Sequence, residues 1–568
     1  MPWKNLQREN IFLHSFVFIF LILIYWPFIG GTFFTSDDAQ LILIPQFSTP
    51  ITLQNFIAIL TPGNHLDFYP IRDLSYFFDS LVLNTSPFLM RLENLIFLFV
   101  GYLYLFRLLT IFELNFKAKA IFSTIWIFSF YHLEQVMWLS ARKDLLALVF
   151  AIISIYYFYE HQKSNAQRSS VLWLVFYILS ILSKATFGLL PVFFLLDYWF
   201  IRKKTSQLKL IVLSWIIMIA NALFQSWFYS NVTDMTYRLA YWDRLHISMS
   251  ALGRMLLGMV YFKVNAIDFF NFGDWLSYNQ QYEWIGLLFI MSALVFSIYA
   301  IVQKKYSLLN FMILIAILYF PISGLIFPHK MFYSTRYLIP LFTLIVMGIG
   351  ILIKMRNINP YYFIALLILN LVCLRIDLDN WKDNTSIRLK AVSHSPEAIY
   401  PKTQLLLELM SPTARAQINK FELVKSLDEK CSSDNNLSCL RYYLISKEIF
   451  KNSDLNKSNY YWTKFMLTLN LYQYNKHDIL NYMVSDGFKS PYFPITKLSE
   501  WVENKKFFTN TEERIWHVLA ACITNKNAVE LKNSYLKRKL IRESDLVNFI
   551  DSELSSENQK LINLCLKV

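Results

Sequence analysis

Between residues 11 and 375 the chain is a succession of long apolar runs separated by short polar breaks. A helix needs roughly 20 apolar residues to cross a bilayer. Runs near that length occupy 11–31, 92–112, 119–138, 144–160, 171–183, 186–201, 209–228, 284–302, 307–327, 337–353 and 360–375, which predicts about eleven transmembrane helices. The run 171–183 is short and is expected to extend into its neighbours. A further apolar stretch, 250–262, is bordered by Arg254 and Lys263 and is expected to lie in or dip into the outer interface. The segment 32–91 has a different rhythm. Leu53, Phe56, Ile57 and Leu60 follow helical spacing, as do Leu74, Phe77, Phe78 and Leu81, which predicts two short helices on the membrane surface.

After residue 385 charged residues and Asn rise, apolar residues recur with helical spacing, and Gly487 is the sole glycine. That favours a helical domain over an all-β one. The expected architecture is an all-α polytopic membrane protein, with a transmembrane part over 1–384 and a soluble helical part over 385–568.

Composition agrees with that pattern. Hydrophobic residues make up 55% of the 568 and aromatics 17%, a balance that would aggregate in a soluble protein. The net charge of +14 does not point to nucleic acid, because Lys and Arg sit in the short breaks between runs. Lys4 and Arg8, Lys117 and Lys119, Lys163 and Arg168, Arg202 to Lys204, Lys304 and Lys305, and Lys354 and Arg356 all fall on one side if the N-terminus is cytoplasmic. The C-terminal part then lies outside the cytoplasm, which in a bacterial inner membrane is the periplasm. The first run reads as an anchor and lacks a small-residue cleavage site. Of the five cysteines, Cys431 and Cys439 are the easiest pair to close as a disulfide in an oxidising compartment, with buried free thiols as the alternative.

Charged residues that break this pattern mark candidate chemistry. Asp37 and Asp38 follow the first run, where adjacent carboxylates at a membrane boundary must be solvated, paired or used. Arg142, Lys143, Lys184, His329, Lys330 and Arg336 lie at the ends of other runs, and the predicted topology brings them to the same outer face. Cations around two acids suit an anionic group held beside a base. A lipid-linked phosphate donor fits this economically. Its tail would lie among the spans, its phosphate against the cations, and its sugar towards an aspartate acting as general base. With no protein nucleophile, direct displacement would invert the anomeric carbon. No cofactor is implied with certainty, and the two acids neither require nor exclude a divalent metal. The competing readings are that one aspartate merely caps a helix and that each cation merely contacts lipid headgroups.

Several blocks in this order resemble the multispanning GT-C glycosyltransferases, in particular the protein O-mannosyltransferase-like branch, whose members often carry C-terminal tetratricopeptide repeats. Phe33 to Asp38 resembles the acidic motif of the first outer loop. Tyr69 to Tyr76 with Ser86-Pro87-Phe88 and Arg91 to Leu95 resembles "YRPL…LSY…PFGFHLxNLL", with Arg72 as a candidate substrate contact and Arg91 where the family has His. Ser140 to Ala147 resembles "GRKDLLA", and Leu182 to Trp199 resembles "LSKxxxxxLPxxLLLLDYW". Ser334 to Pro340 resembles "ADRYLYLP", and Asn380 to Asn384 contains the "WKDN" that closes the membrane part. The resemblance spans about residues 10–385 and implies a GT-C-like bundle, a polyprenyl-phosphate-linked sugar as donor, a protein or glycan acceptor, and Asp37 as leading base with Asp38 its partner. An oligosaccharide polymerase or ligase, a transporter and a non-catalytic scaffold are the alternatives.

Overall fold

In the computed structural model the described residues are 7–31, 52–61, 68–164, 166–199, 208–232, 241–261, 280–304, 335–394 and 420–433, with single positions elsewhere that include Asp38 and Ile42. They are helical, and no strand occurs among them. Chain packing divides the protein into two compact units, Met1–Leu469 and Asn470–Val568, so the change of composition near 385 does not coincide with that division. The predicted run 307–327 lies, but for one position, outside the described residues.

Helix α1, Gln7–Tyr25, is the first apolar run. Two short helices follow, α2 (Leu53–Leu60) and α3 (Pro70–Val82). The Thr52 hydroxyl caps α2 by accepting the Asn55 N–H at 3.2 Å, and Pro70 opens α3, where its missing N–H costs nothing. Next come α4 (Pro87–Ile111) and α5 (Phe116–Ile127), the latter capped by Asn115, which accepts the Ala118 N–H at 2.9 Å.

The run 119–138 is not one helix. It ends as α5 at Ile127, turns through a 3-10 segment Phe130–His132, and resumes as the five-residue α6, Leu133–Met137. Each of residues 125–142 is buried within the protein. Interrupted backbone in a membrane protein needs such an enclosure, because lipid cannot satisfy the freed polar groups. A second 3-10 turn, Leu139–Ala141, leads into α7 (Arg142–Ser164), which packs along α8 (Gln167–Ser183). Between these two helices the Ser180 hydroxyl donates to Ala147 O at 2.7 Å and the Ser154 hydroxyl to Trp173 O at 2.8 Å. Such bonds hold helices together where apolar burial discriminates little.

The run 186–201 also departs from expectation. Its regular part is the short α9, Leu190–Asp197, behind a 3-10 turn at Ala185–Phe187, and Pro191 in the first turn of α9 separates them. Then come α10 (Leu208–Val232), α11 (Tyr241–Tyr261) and α12 (Gln280–Val302). The stretch 250–261 is thus the second half of a longer helix. It packs backbone to backbone on α12, where a Cβ on Gly253 would lie 1.8 Å from Tyr282 O and one on Gly286 would lie 2.1 Å from Met249 O. Only glycine permits that approach. Helices α13 (Thr335–Arg356), α14 (Ile364–Asn380) and α15 (Asn384–His394) close the membrane part, and α16 (Lys420–Ser433) follows. Asp383 caps α15 by accepting the Ser386 N–H at 2.7 Å.

The main core joins α1, α4, α5, α7, α8, α9, α13 and α14. Among the described residues four helices are long and apolar enough to cross a membrane: Pro87–Ile111, Leu208–Phe228, Gln281–Val302 and Pro360–Asn380. The last three bury little of their apolar surface in the protein, and Leu288, Val295 and Ile298 of α12 are each more than half exposed. Apolar surface on that scale needs an apolar surrounding, so the protein is a membrane protein.

Candidate functional site

The amphipathicity of α3 runs opposite to that of a helix on a soluble core. Its buried face is polar, with Arg72, Asp73, Asp79 and Ser80 alongside Tyr76 and Phe77. Phe78, Leu81 and Val82 point away from the protein and are at least half exposed. Helix α2 buries the apolar Ile59 but likewise exposes the apolar Leu53 and Ile57. The polar face of α3 meets the start of α4, the turn at 139–141 and the start of α7.

Arg142 stands at the centre of this contact and is wholly buried. Its Nε donates to Asn94 Oδ1 at 2.7 Å and its Nη2 to Met90 O at 2.9 Å. Its Nη1 meets Asp79 Oδ2 at 2.5 Å, Glu93 Oε2 at 2.9 Å and the Ser75 hydroxyl at 3.3 Å. The guanidinium also lies 5.3 Å from the Tyr76 ring centroid. Tyr76 in turn donates its hydroxyl to Leu139 O at 2.7 Å. Burial holds that phenol far above its usual range, so it remains a donor at any physiological pH.

Asp38 is fully buried on the same turn. Its Oδ1 accepts the Ser140 N–H at 2.8 Å and the Ser140 hydroxyl at 2.5 Å. Charge-assisted bonds of this kind suit a carboxylate that has left water. One turn away, Arg72 pairs with Asp73 at 2.7 Å. The Arg72 guanidinium and the Lys143 ammonium share the Tyr69 ring, at 5.4 and 5.1 Å from its centroid. Lys184 follows the last residue of α8 in extended conformation and pairs with Asp144 at 2.5 Å, with 14% of its side chain exposed.

Five of the residues singled out in the sequence therefore converge: Asp38, Arg72, Arg142, Lys143 and Lys184. Asp37, His329 and Lys330 lie outside the described residues. Arg336 sits in the first turn of α13. Trp126 Nε1 donates to Thr343 Oγ1 at 2.8 Å, and Gly350 abuts Leu114. Helix α13 is thus antiparallel to α5, and the turn carrying Arg336 lies at the end where the chain leaves α5 for 130–141. Among the described residues no group of three His, Cys, Asp or Glu side chains is arranged to hold a metal ion. Cys431 and Cys439 form a disulfide.

Asn94, Glu93, Asp79, Ser75 and Ser140 were not singled out as site residues in the sequence, although all but Asp79 lie in the quoted motif blocks and all complete the cluster. For Ser75 and Asp79 a signal existed: they recur at i and i+4 to one side of the apolar stripe of α3. Arg91 is a further buried cation. Its Nη1 donates to Ile29 O at 3.0 Å and Gly31 O at 2.5 Å, and its Nε to Met137 O at 3.0 Å. Comparison with known protein families, curated proteins and solved structures returns no match.

Proposed function

We propose that the protein is a GT-C-type glycosyltransferase that moves a sugar from a polyprenyl-phosphate donor to an acceptor hydroxyl at the outer face of the membrane, with inversion. The observation that carries this reading is the burial of Asp38 on Ser140 beside Arg142, which brings one acid of the doublet to the cation cluster. In this proposal the full complement of about eleven spans leaves the N-terminus in the cytoplasm and the C-terminal domain in the periplasm. Asp38 anchors the doublet, and Asp37 takes the proton from the acceptor hydroxyl. Arg142 and Arg72, both enclosed among acids, hold the loop in shape. Lys143 and Lys184 lie nearer the surface, and with Arg336 they stabilise the departing lipid phosphate. Anchoring both substrates at a boundary would contribute orientation.

The saturation of Arg142 by protein acceptors favours a second reading, a scaffold with the same loop and no transfer. Purified wild type and Asp37→Asn, offered a panel of polyprenyl-phosphate sugars, separate the two. The glycosyltransferase reading expects transfer from at least one donor and a loss of about 100-fold or more in the variant. Transfer from none leaves the scaffold, and undiminished turnover by Asp37→Asn removes that residue as base.

A further inference from the structure

The end of α4 remote from Arg142 carries a buried cation of its own. Thr110 lies about 24 Å along α4 from Asn94, which holds Arg142. That rise is close to the thickness of a bilayer's hydrocarbon core. There Lys119, in the first turn of α5, is buried to 7% exposure. Its Nζ donates to Thr110 Oγ1 at 3.1 Å and stands 4.9 Å from the centroid of the Phe106 ring. Thr110 gives its own proton to Phe106 O at 3.0 Å, so towards Lys119 it is an acceptor. From α1, His14 meets the same ring edge-on, with centroids 4.9 Å apart, and its Nδ1 lies 3.1 Å from the Tyr102 hydroxyl. Tyr102, Phe106 and Thr110 recur at i, i+4 and i+8, so one stripe of α4 meets both α1 and α5.

Among the described residues no carboxylate pairs with Lys119. Arg107, one turn before Thr110 and exposed, lies 5.1 Å from the Tyr104 ring centroid and within Coulombic range of His14. It forms no ion pair there either, although Glu160 shares Tyr156 with it as a neighbour. Glu113, just beyond α4, is engaged by Lys354 at 2.8 Å. An ammonium withdrawn from water and given one hydroxyl and one ring face keeps donors without an acceptor and a charge without a counterion. Thr110, Arg107 and Phe116 beside it are exposed, so Lys119 stands just beneath the surface. An anion bound at that surface would supply both the acceptors and the charge. Exposed Phe16 and Ile19 of α1 continue from the level of His14 towards the middle of the span. Such apolar surface suits a ligand with acyl chains and does nothing for a free ion.

We propose that Lys119, Thr110 and Arg107 form a binding site for the phosphate of an anionic membrane lipid, in the leaflet opposite the Arg142 cluster. The proposed topology makes this the cytoplasmic leaflet, and the inference does not need the glycosyltransferase reading. Lys119 supplies a point charge to the phosphate and Arg107 a second cation at the rim. A zwitterionic headgroup is disfavoured, because its own ammonium meets the same two cations. The test is native mass spectrometry of the full-length protein in detergent, offered equal amounts of phosphatidylglycerol and phosphatidylcholine. Wild type should retain phosphatidylglycerol over phosphatidylcholine by about tenfold. Lys119→Met, which keeps the buried stem, should bring that ratio to within about twofold of parity. The exposed neighbour Lys117, which lies over the Tyr361 ring, serves as control, and Lys117→Met should leave the ratio unchanged. Parity in wild type, an unchanged ratio in Lys119→Met, or equal losses in both variants overturns the site. Inorganic phosphate in excess separates the two sources of the anion. Retention of the lipid supports the proposal, whereas its displacement assigns the site to a free anion and overturns the lipid. Should Lys119→Met fail to fold, Arg107→Gln at the rim reads the same site, with an expected fall of about threefold, and no fall there counts against it.

Discussion

Arg142 shows how a charged residue survives full burial. One guanidinium faces two acid side chains, Asp79 and Glu93, and its remaining donors go to Asn94 and Met90 O. Removing one member of such a cluster leaves its partners charged and dry, which costs roughly 3–5 kcal/mol. The two kinds of member are not equivalent, however. Asp79→Asn leaves Glu93 to balance Arg142, whereas Arg142→Met strands two acids facing each other. We therefore expect Arg142→Met to unfold the protein several degrees below Asp79→Asn in a detergent melting experiment. Equal losses would mean that Glu93 contributes nothing to the balance. Arg142→Lys should resemble Arg142→Met more than wild type, since an ammonium cannot span Asn94, Met90 and Asp79 from one position.

Helix α3 illustrates why an apolar stripe does not say which way it faces. Its stripe was legible in Leu74, Phe77, Phe78 and Leu81, and a helix forms there. Yet Phe77 is buried at 6% exposure, while its neighbour Phe78 is 56% exposed. A helix that presents polar residues to the protein and apolar ones outwards is suited to a membrane boundary. The expected outcome is a sharp contrast between adjacent positions. Phe77→Ala should cost about 3–5 kcal/mol in detergent melting. Phe78→Ser should stay within about 0.5 kcal/mol of wild type. A comparable loss at both would put Phe78 in the core after all. The break in the run 119–138 carries the same lesson. Its apolar composition matches a single span, but Ser129, His132, Glu134 and Gln135 sit buried along the interruption, and buried polar groups of that density need neighbouring helices to receive them.

For the molecule as a whole, sidedness is the property on which the proposal turns. The disulfide Cys431–Cys439 fits a C-terminal part held in an oxidising compartment. In intact cells bearing Tyr460→Cys at a half-exposed position, with Cys373, Cys522 and Cys565 replaced by Ser, the introduced thiol should react with a membrane-impermeant maleimide once the outer barrier is opened and before the inner membrane is permeabilised. Labelling that requires inner-membrane permeabilisation would put this part in the cytoplasm and end the proposed topology.

The sequence alone determined that the protein is helical and lives in a membrane, because apolar length and period act locally and leave few alternatives. It also marked Asp38, Arg72, Arg142, Lys143 and Lys184 as unusual, since a charge beside a long apolar run is costly wherever the chain goes. Tertiary structure alone decided what each of them does. Whether Arg142 meets water or two carboxylates, and whether Asp38 faces solvent or Ser140, depends on residues some 50 to 100 positions away, whose approach is set by helix packing and leaves no local trace in the chain.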